Sequence, residues 1–161
     1  MGDERPNVFS FGCGLALDYV GAVEHFGKNG VCYPIDECNW AIKKTENFKN
    51  FDPELPAKNL SFKEGMMLLD MTPKNAVVCF FHSLFTISRN TSELMTKLTS
   101  ALRNKNNFYF VCNFTINHQF HMVVEERKFI SEFSANLKDT FTLKHFNILG
   151  DRGIIISGKR K

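Results

Sequence analysis

The residues best suited to chemistry near the start of the chain are Gly12, Cys13 and Gly14, which close the apolar run Asn7 to Phe11, and Asp36, just past the run Val31 to Ile35. Two glycines directly after a strand let the backbone turn tightly and approach a ligand with no Cβ in the way. A carboxylate at the end of the next strand can accept hydrogen bonds from both hydroxyls of a ribose. Residue types in this order point to a nucleoside-bearing ligand. Further on, His82 and Asn113 stand at the ends of two more apolar runs. Histidine is the commonest general base, and an asparagine amide can orient a bound acceptor. A structural hydrogen bond is the plainer use of either. His118 and His121 either line a pocket or belong to an exposed loop.

Bringing those groups together requires strands whose ends meet, and the chain alternates strand-like with helix-like segments. Leu17, Val20, Val23 and Phe26 recur at a helical period that Gly27 closes. Asn39 to Phe48 reads as a second helix, and Asp52-Pro53 with Leu55-Pro56 marks a loop. Leu60 to Lys63 is expected to form a third strand leading to Gly65, Met66 and Met67. Ala76 to Phe81 has the character of a fully buried strand. Asn90 is expected to cap a helix with Glu93 answering it three residues on. That helix turns Leu94, Met95, Leu98 and Leu102 toward a core. Phe108 to Phe114 reads as a fifth strand and Glu125 to Leu137 as another helix. Thr140 to Asn147 and Gly153 to Ser157 read as an antiparallel pair. Strands alternating with helices imply a mostly parallel sheet covered on both faces. Its ligand site lies beyond the carboxyl ends of the strands, where strand order reverses. Gly12 and Asp36 fall there.

Composition bounds what such a domain does. Hydrophobic residues make up 43% of the 161 and charged residues 23%, enough to build a core and too apolar for a disordered chain. No apolar run approaches a membrane span. The polar start, Met-Gly-Asp-Glu-Arg-Pro, carries no signal-peptide pattern, so an intracellular location, cytoplasmic or nuclear, is expected. The net charge of +3 equals the contribution of Lys159, Arg160 and Lys161. The body is therefore near neutral, which gives little support to phosphate-backbone binding as the main activity. The basic tail is expected to be solvated and frayed. The five cysteines (Cys13, Cys32, Cys38, Cys79, Cys112) form no CxxC pair, and the histidines complete no zinc pattern, so free thiols and no metal are expected. The 17 phenylalanines fall at core spacing more than in a base-stacking array.

Val8-Phe9-Ser10-Phe11-Gly12-Cys13-Gly14 and Tyr33-Pro34-Ile35-Asp36, with the terminal strand pair, resemble the class I methyltransferase superfamily that uses S-adenosylmethionine (SAM). A dinucleotide fingerprint wants a third glycine where this chain has Leu17. The SAM version takes a small residue two after Gly14, and Ala16 is there. The resemblance implies a single α/β domain over residues 1–161: a Rossmann-like, seven-stranded, mostly parallel sheet with a C-terminal antiparallel hairpin and helices on both faces. It also implies that Gly12 and Gly14, with Ser10, Cys13 and Ala16, face the methionine part of SAM. Asp36, with Glu37 beside it, would hold the ribose; Gly65 and Met66 would border the adenine; Phe81 and His82 would lie by the sulfonium. The chain departs from the family at Ser10 and Met66, where acids are usual, and at Ala16, where the third glycine is usual. Asp36-Glu37-Cys38-Asn39-Trp40 is loosely similar to ribosomal-RNA uridine methyltransferases.

Within that frame His82 is the candidate general base and Asn113 the group that orients an acceptor. Phe80-Phe81-His82-Ser83 lacks the Asn/Asp-Pro-Pro-aromatic motif of amino methylation. No Lys-Asp-Lys-Glu set supports ribose methylation, and Cys79 and Cys112 lack the neighbours of a pyrimidine C5 nucleophile. Two readings remain. One is a methyltransferase with an open acceptor, RNA being favoured; the other is an inactive methyltransferase-like module that binds SAM or a partner protein. Acceptor recognition would fall to Phe114 to Glu126, to the loop Asp52 to Lys58, or to a second subunit in a homodimer or complex.

Overall fold

Val8 to Phe11, Ala76 to Phe80 and Phe108 to Cys112 are apolar runs too short for helices, and they lie side by side at the centre of one sheet. The computed structural model describes residues 7–14, 32–37, 60–72, 75–114, 120–148, 150 and 152–161. Its strands are β1 (Asn7–Phe11), β2 (Cys32–Ile35), β3 (Asn75–Phe81), β4 (Asn107–Asn113), β5 (Phe141–Ile148) and β6 (Gly153–Arg160). Its helices are α1 (Phe62–Met71), α2 (Leu84–Asn90), α3 (Leu94–Arg103) and α4 (Phe120–Leu137). The sheet order is β2-β1-β3-β4-β6-β5. The first four strands are parallel, β6 runs antiparallel to β4, and β5 antiparallel to β6.

The α/β class, the parallel body and the terminal antiparallel pair agree with the sequence. The seven-strand expectation does not: six strands form among the described residues. At the position of the third strand only Leu60 pairs, in a parallel bridge to Ile35 beside β2. Its backbone exchanges hydrogen bonds of 2.9 Å with Asp36 and Pro34. The next residue, Ser61, leaves the sheet because it caps α1. Its hydroxyl accepts from the Glu64 amide at 3.3 Å, and Glu64 Oε2 accepts from the Ser61 amide at 2.8 Å. That capping box satisfies amides which an edge strand would leave unpaired.

The expected cap at Asn90 is also corrected. Asn90 is the last residue of α2, and α3 begins after Glu93, whose side chain caps nothing. Glu93 instead reaches along the helix to Lys97 at 2.7 Å, and this partner lowers its carboxyl pKa. The basic tail is not frayed either. Lys159 and Arg160 belong to β6, and the Lys161 amide donates to the Thr140 carbonyl at 3.1 Å. Helix α4 begins at Phe120, five residues before the sequence expectation of Glu125, and places His121 in a helix.

Packing on the described helical face is aromatic. Phe11 stacks on Phe80 with centroids 5.3 Å apart, Phe80 meets Phe110 at 5.5 Å, Phe110 meets Phe133 of α4 at 4.7 Å, and Phe108 meets Phe141 at 5.0 Å. These rings are fully buried, and each such ring contributes stabilisation by area as well as by ring geometry. Helix α3 supplies Leu94, Leu98 and Leu102 to the same core, as its period requires. The helices expected at 15–26 and 39–48, and with them Ala16, Cys38, Trp40, His118 and the 52–58 loop, lie outside the described residues. Among the described residues no helix is long and apolar enough to cross a membrane; Cys79 and Cys112 are buried, and Cys13 and Cys32 are half-buried.

Candidate functional site

The chain passes from β1 outward to β2, then returns to the other side of β1 as β3, so strand order reverses at β1. A crevice forms at such a reversal, outside the carboxyl ends of the strands. Gly12 and Gly14 turn there with φ of +70° and +52°, a region costly for residues with a Cβ. The amides of Gly12 and Cys13 both donate to the Ile35 carbonyl, at 2.7 and 3.2 Å. The Gly14 amide donates to Asp36 Oδ2 at 2.8 Å. The glycine turn is thus bound to the end of β2 at three points.

The two glycines serve different ends. A Cβ on Gly12 would stand 2.5 Å from Ser83 Cβ and 2.9 Å from its Oγ, so Gly12 permits β1 and β3 to close on each other. A Cβ on Gly14 would meet nothing within 4 Å among the described residues. Among the described residues, therefore, nothing crowds Gly14 on that side. Cys13 lies between them, half-buried, and Ser10 sits beneath in β1, 2% exposed, with an Oγ that has no hydrogen-bond partner among the described residues.

At the end of β3, Phe81 is exposed and His82 adopts φ +56°. His82 is the only non-glycine residue in the left-handed region among the described residues. Its backbone amide donates to the Asn113 carbonyl at 3.2 Å, and its ring Nδ1 lies 2.9 Å from the Phe114 carbonyl. A carbonyl can only accept, so the neutral ring carries its proton on Nδ1 and presents a lone pair at Nε2. Asn113 Nδ2 stands 3.4 Å from that Nε2, while Asn113 Oδ1 is buried with no partner among the described residues. The structure therefore brings His82 and Asn113 together across the ends of β3 and β4.

The residues expected at the adenine side are arranged differently from a loop. Gly65 is inside α1 and buried; a Cβ there would lie 2.5 Å from Ile35 Cδ1, so this glycine lets the helix pack against β2. Glu37 accepts from the Phe62 amide at 2.9 Å, a second anchor on the start of α1. Glu37 and Met66 both face a groove of about 690 Å³ between α1 and α3, bordered further along by Asp70, Leu94 and Lys97.

Two residues at this site were missed in the sequence. Ser83 stitches the crevice, its hydroxyl donating to the Phe11 carbonyl at 2.7 Å; nothing local distinguishes it from an ordinary helix-start serine. Glu126 is 1% exposed, and its Oε1 accepts from the Phe85 amide at 3.3 Å. The signal for Glu126 was present. It shares a helical stripe with Phe129, Ile130, Phe133 and Leu137, so a carboxylate occupies a core position. Burial pushes the neighbouring Cys112 thiol far above its ordinary pKa, and the Glu126 charge adds to the effect. A proton-bound, buried thiol is no nucleophile. Among the described residues no group of three or more His, Cys, Asp or Glu is arranged to hold a metal ion.

No protein-family model matches the chain, and no curated protein does. Solved structures do. A SAM-dependent methyltransferase from Aquifex aeolicus aligns with a TM-score of 0.62 at 14% identity, over 99% of this chain and 85% of that one. An rRNA-methylase candidate from Clostridium thermocellum gives 0.61 at 14%, over 98% and 88%. A type 11 methyltransferase candidate from Sulfolobus solfataricus gives 0.53 at 17%, over 98% and 85%. The chain has the class I methyltransferase fold. At these identities the likeness is one of architecture. In that fold the Gly12–Gly14 turn, Asp36 and His82 stand at the carboxyl ends of β1, β2 and β3.

Proposed function

We propose that the chain is a SAM-dependent methyltransferase whose cofactor lies across the carboxyl ends of β1, β2 and β3. The open space over Gly14 carries this reading: no atom of the described residues comes within 4 Å of a Cβ built there, although the turn is held on three hydrogen bonds. Among the described residues Ser10 Oγ and Asn113 Oδ1 are also buried and unpartnered, a cost that a polar ligand would offset. Gly12, Cys13 and Gly14, with Ser10 beneath, would hold the methionine part, and Asp36 the ribose. Glu37 and Met66 would border the adenine at the mouth of the α1–α3 groove, and Phe81 and His82 would flank the reacting centre. SAM supplies a methyl group already activated by its sulfonium.

The protein's own part is alignment and exclusion of water, which account for much of the barrier in such a transfer. His82 Nε2 accepts the acceptor's proton where one must be lost. The Phe114 carbonyl and Asn113 Nδ2 fix the ring that does so. RNA is the acceptor class we favour, supported by the rRNA-methylase candidate among the similar structures. A second subunit, identical or not, completes acceptor recognition.

Ser10 and Met66, standing where acids are usual, favour a second reading: a SAM-binding module that has lost transfer. Calorimetric titration with SAM, S-adenosylhomocysteine and NAD tests the first claim, and absence of SAM binding ends both readings. Radiolabelled methyl transfer to RNA, protein and small-molecule pools then separates enzyme from module. In the enzyme, His82→Gln should lower kcat by about 10²-fold or more with little change in SAM affinity.

A further inference from the structure

Residues two apart on a strand share a face, and the registers of β4, β6 and β5 align those faces into rows. One side carries Phe108, Phe110 and Phe141, all buried, with Phe133 of α4 4.7 Å from Phe110. On the other side Tyr109 lies beside Ser157, and Ser157 beside Lys144. The next row toward the crevice pairs Ile155 with Phe146, and the row behind pairs Lys159 with Thr142. The Lys161 amide donates to the Thr140 carbonyl, so the alternation continues and Lys161 shares the side of Lys159.

This side differs in chemistry from the helix-covered one. Phe146 is 51% exposed, unlike the buried phenylalanines of the core. Lys144, Lys159 and Lys161 are exposed, and Tyr109 is half-buried. The three strands contain no Asp or Glu. Among the described residues none of the three lysines is in an ion pair. The net charge of +3 equals that of Lys159, Arg160 and Lys161, and the pleat sends two of those three to this side. Tyr109 and Phe146 stand on strands separated by β6, roughly 10 Å apart across the sheet.

Aromatic rings among unpaired cations on a sheet suit a single-stranded nucleic acid, whose bases stack on the rings while its phosphates meet the ammonium groups. A second copy of the chain fits worse, because a two-fold contact would set these lysines against their own images. A lipid surface also fits worse, since one exposed ring beside Ser157 and Thr142 offers little apolar area to insert. The rows lead to the crevice: beyond Phe146 come Ile148, Gly153 and Asn113, and Asn113 Nδ2 is 3.4 Å from His82 Nε2.

We propose that the β4–β6–β5 face opposite α4 binds single-stranded RNA, with a base stacked on Phe146 and phosphates on Lys144 and Lys159. The bound strand then leads toward Asn113 and His82. That this RNA is the methyl acceptor rests on the methyltransferase reading; the binding surface does not. Fluorescence anisotropy of a labelled oligouridylate, titrated with the full chain at several salt concentrations, tests it. Phe146→Leu keeps an apolar side chain and should still weaken binding about tenfold, the loss of one base stack, without altering the salt dependence. Lys144→Gln combined with Lys159→Gln should flatten the slope of log affinity against log salt by about 1.4, or about 0.7 for each lost phosphate contact. Lys128→Gln, on α4, should leave RNA binding unchanged. SAM affinity, measured by calorimetry, should be the same in every variant.

No RNA binding, wild-type affinity in Phe146→Leu, or equal affinity for an RNA duplex would overturn the proposal. Binding to phosphatidylserine vesicles in place of RNA, or self-association that Phe146→Leu abolishes, would overturn it too. If RNA binds through Phe146 while SAM does not bind, the methyltransferase reading fails and the RNA surface stands. If SAM binds while the variants keep wild-type RNA affinity, the surface fails and the methyltransferase reading stands.

Discussion

The backbone amide of Gly14 donates to Oδ2 of Asp36 across 2.8 Å, so the carboxylate proposed to hold a ribose also fixes the turn that faces it. Asp36→Ala removes both functions at once. It should weaken SAM or S-adenosylhomocysteine binding by about 1–3 kcal/mol in calorimetry. Asp36→Asn keeps an acceptor for the Gly14 amide and should lose less. An unchanged dissociation constant in the alanine variant would count against the assignment.

The two glycines of that turn should separate folding from binding. Gly14→Ala places a Cβ in open space, so its stability cost is confined to the left-handed backbone, about 1–2 kcal/mol. Gly12→Ala adds a collision with Ser83 to the same backbone strain, and overpacking of this kind costs about 1–3 kcal/mol more. Urea denaturation should therefore rank Gly12→Ala as the less stable. Gly14→Ala, although folded, should lose SAM binding; wild-type affinity there would remove the central observation behind the proposed function.

Thiol labelling offers a probe that needs no acceptor. Cys13 is half-buried at the crevice, whereas Cys112 is buried and its thiol is held protonated by burial and by Glu126. At neutral pH an electrophilic reagent should label Cys13 and leave Cys112 untouched until the protein is unfolded. Saturating SAM should slow Cys13 labelling. Mass spectrometry of the labelled peptides reads both outcomes, and equal rates with and without SAM would place the ligand elsewhere.

Lys105 is wholly buried, with Nζ donating to the carbonyls of Asp70 and Thr72 at the end of α1, at 3.2 and 2.5 Å. Burial lowers its pKa from 10.5, while the Asp70 charge opposes that shift. Between the lowered value and 10.5 the unfolded chain keeps a proton that the folded chain has lost. Stability from this residue must therefore rise with pH across that interval. Lys105→Met should be less stable by about 1–3 kcal/mol, because two carbonyls lose their donor. The gap between wild type and variant should widen from neutral to alkaline pH in urea melts. A constant gap would show that Lys105 does not titrate differently on folding.

Much of this architecture was legible because the decisive patterns are local. β1, β3 and β4 are short apolar runs with no helical period, and α3 shows its Leu94, Leu98, Leu102 stripe openly. That Gly12–Gly14 and Asp36 stand at the ends of successive strands could be read from element order alone, whereas the hydrogen bond between Gly14 and Asp36 could not. The failures have a common cause: one pattern with two uses. Ser61-Phe62-Lys63-Glu64 is a capping signature, but it follows directly on Leu60, and the run reads as a strand when its first half is weighed. Asn90-Thr91-Ser92-Glu93 has the same spacing, yet it follows a segment that is already helical, so Asn90 ends one helix and Glu93 is free to pair with Lys97. The left-handed backbone of His82 and its contact with Phe114 depend on residues 32 positions apart, which no local pattern encodes.

β6 lies inside the sheet, between β4 and β5, although β5 precedes it in the chain. Among the described residues β5 pairs only with β6, so the outermost strand cannot dock before its successor does, and the two must insert together as a hairpin. During synthesis, β4 waits with a bare backbone edge flanked by Phe108, Phe110 and Cys112 until the hairpin has emerged. That interval is when neighbouring nascent chains could add to the sheet in place of the chain's own hairpin. Slow translation of the 141–160 stretch should thus raise aggregation more than equal slowing over α3.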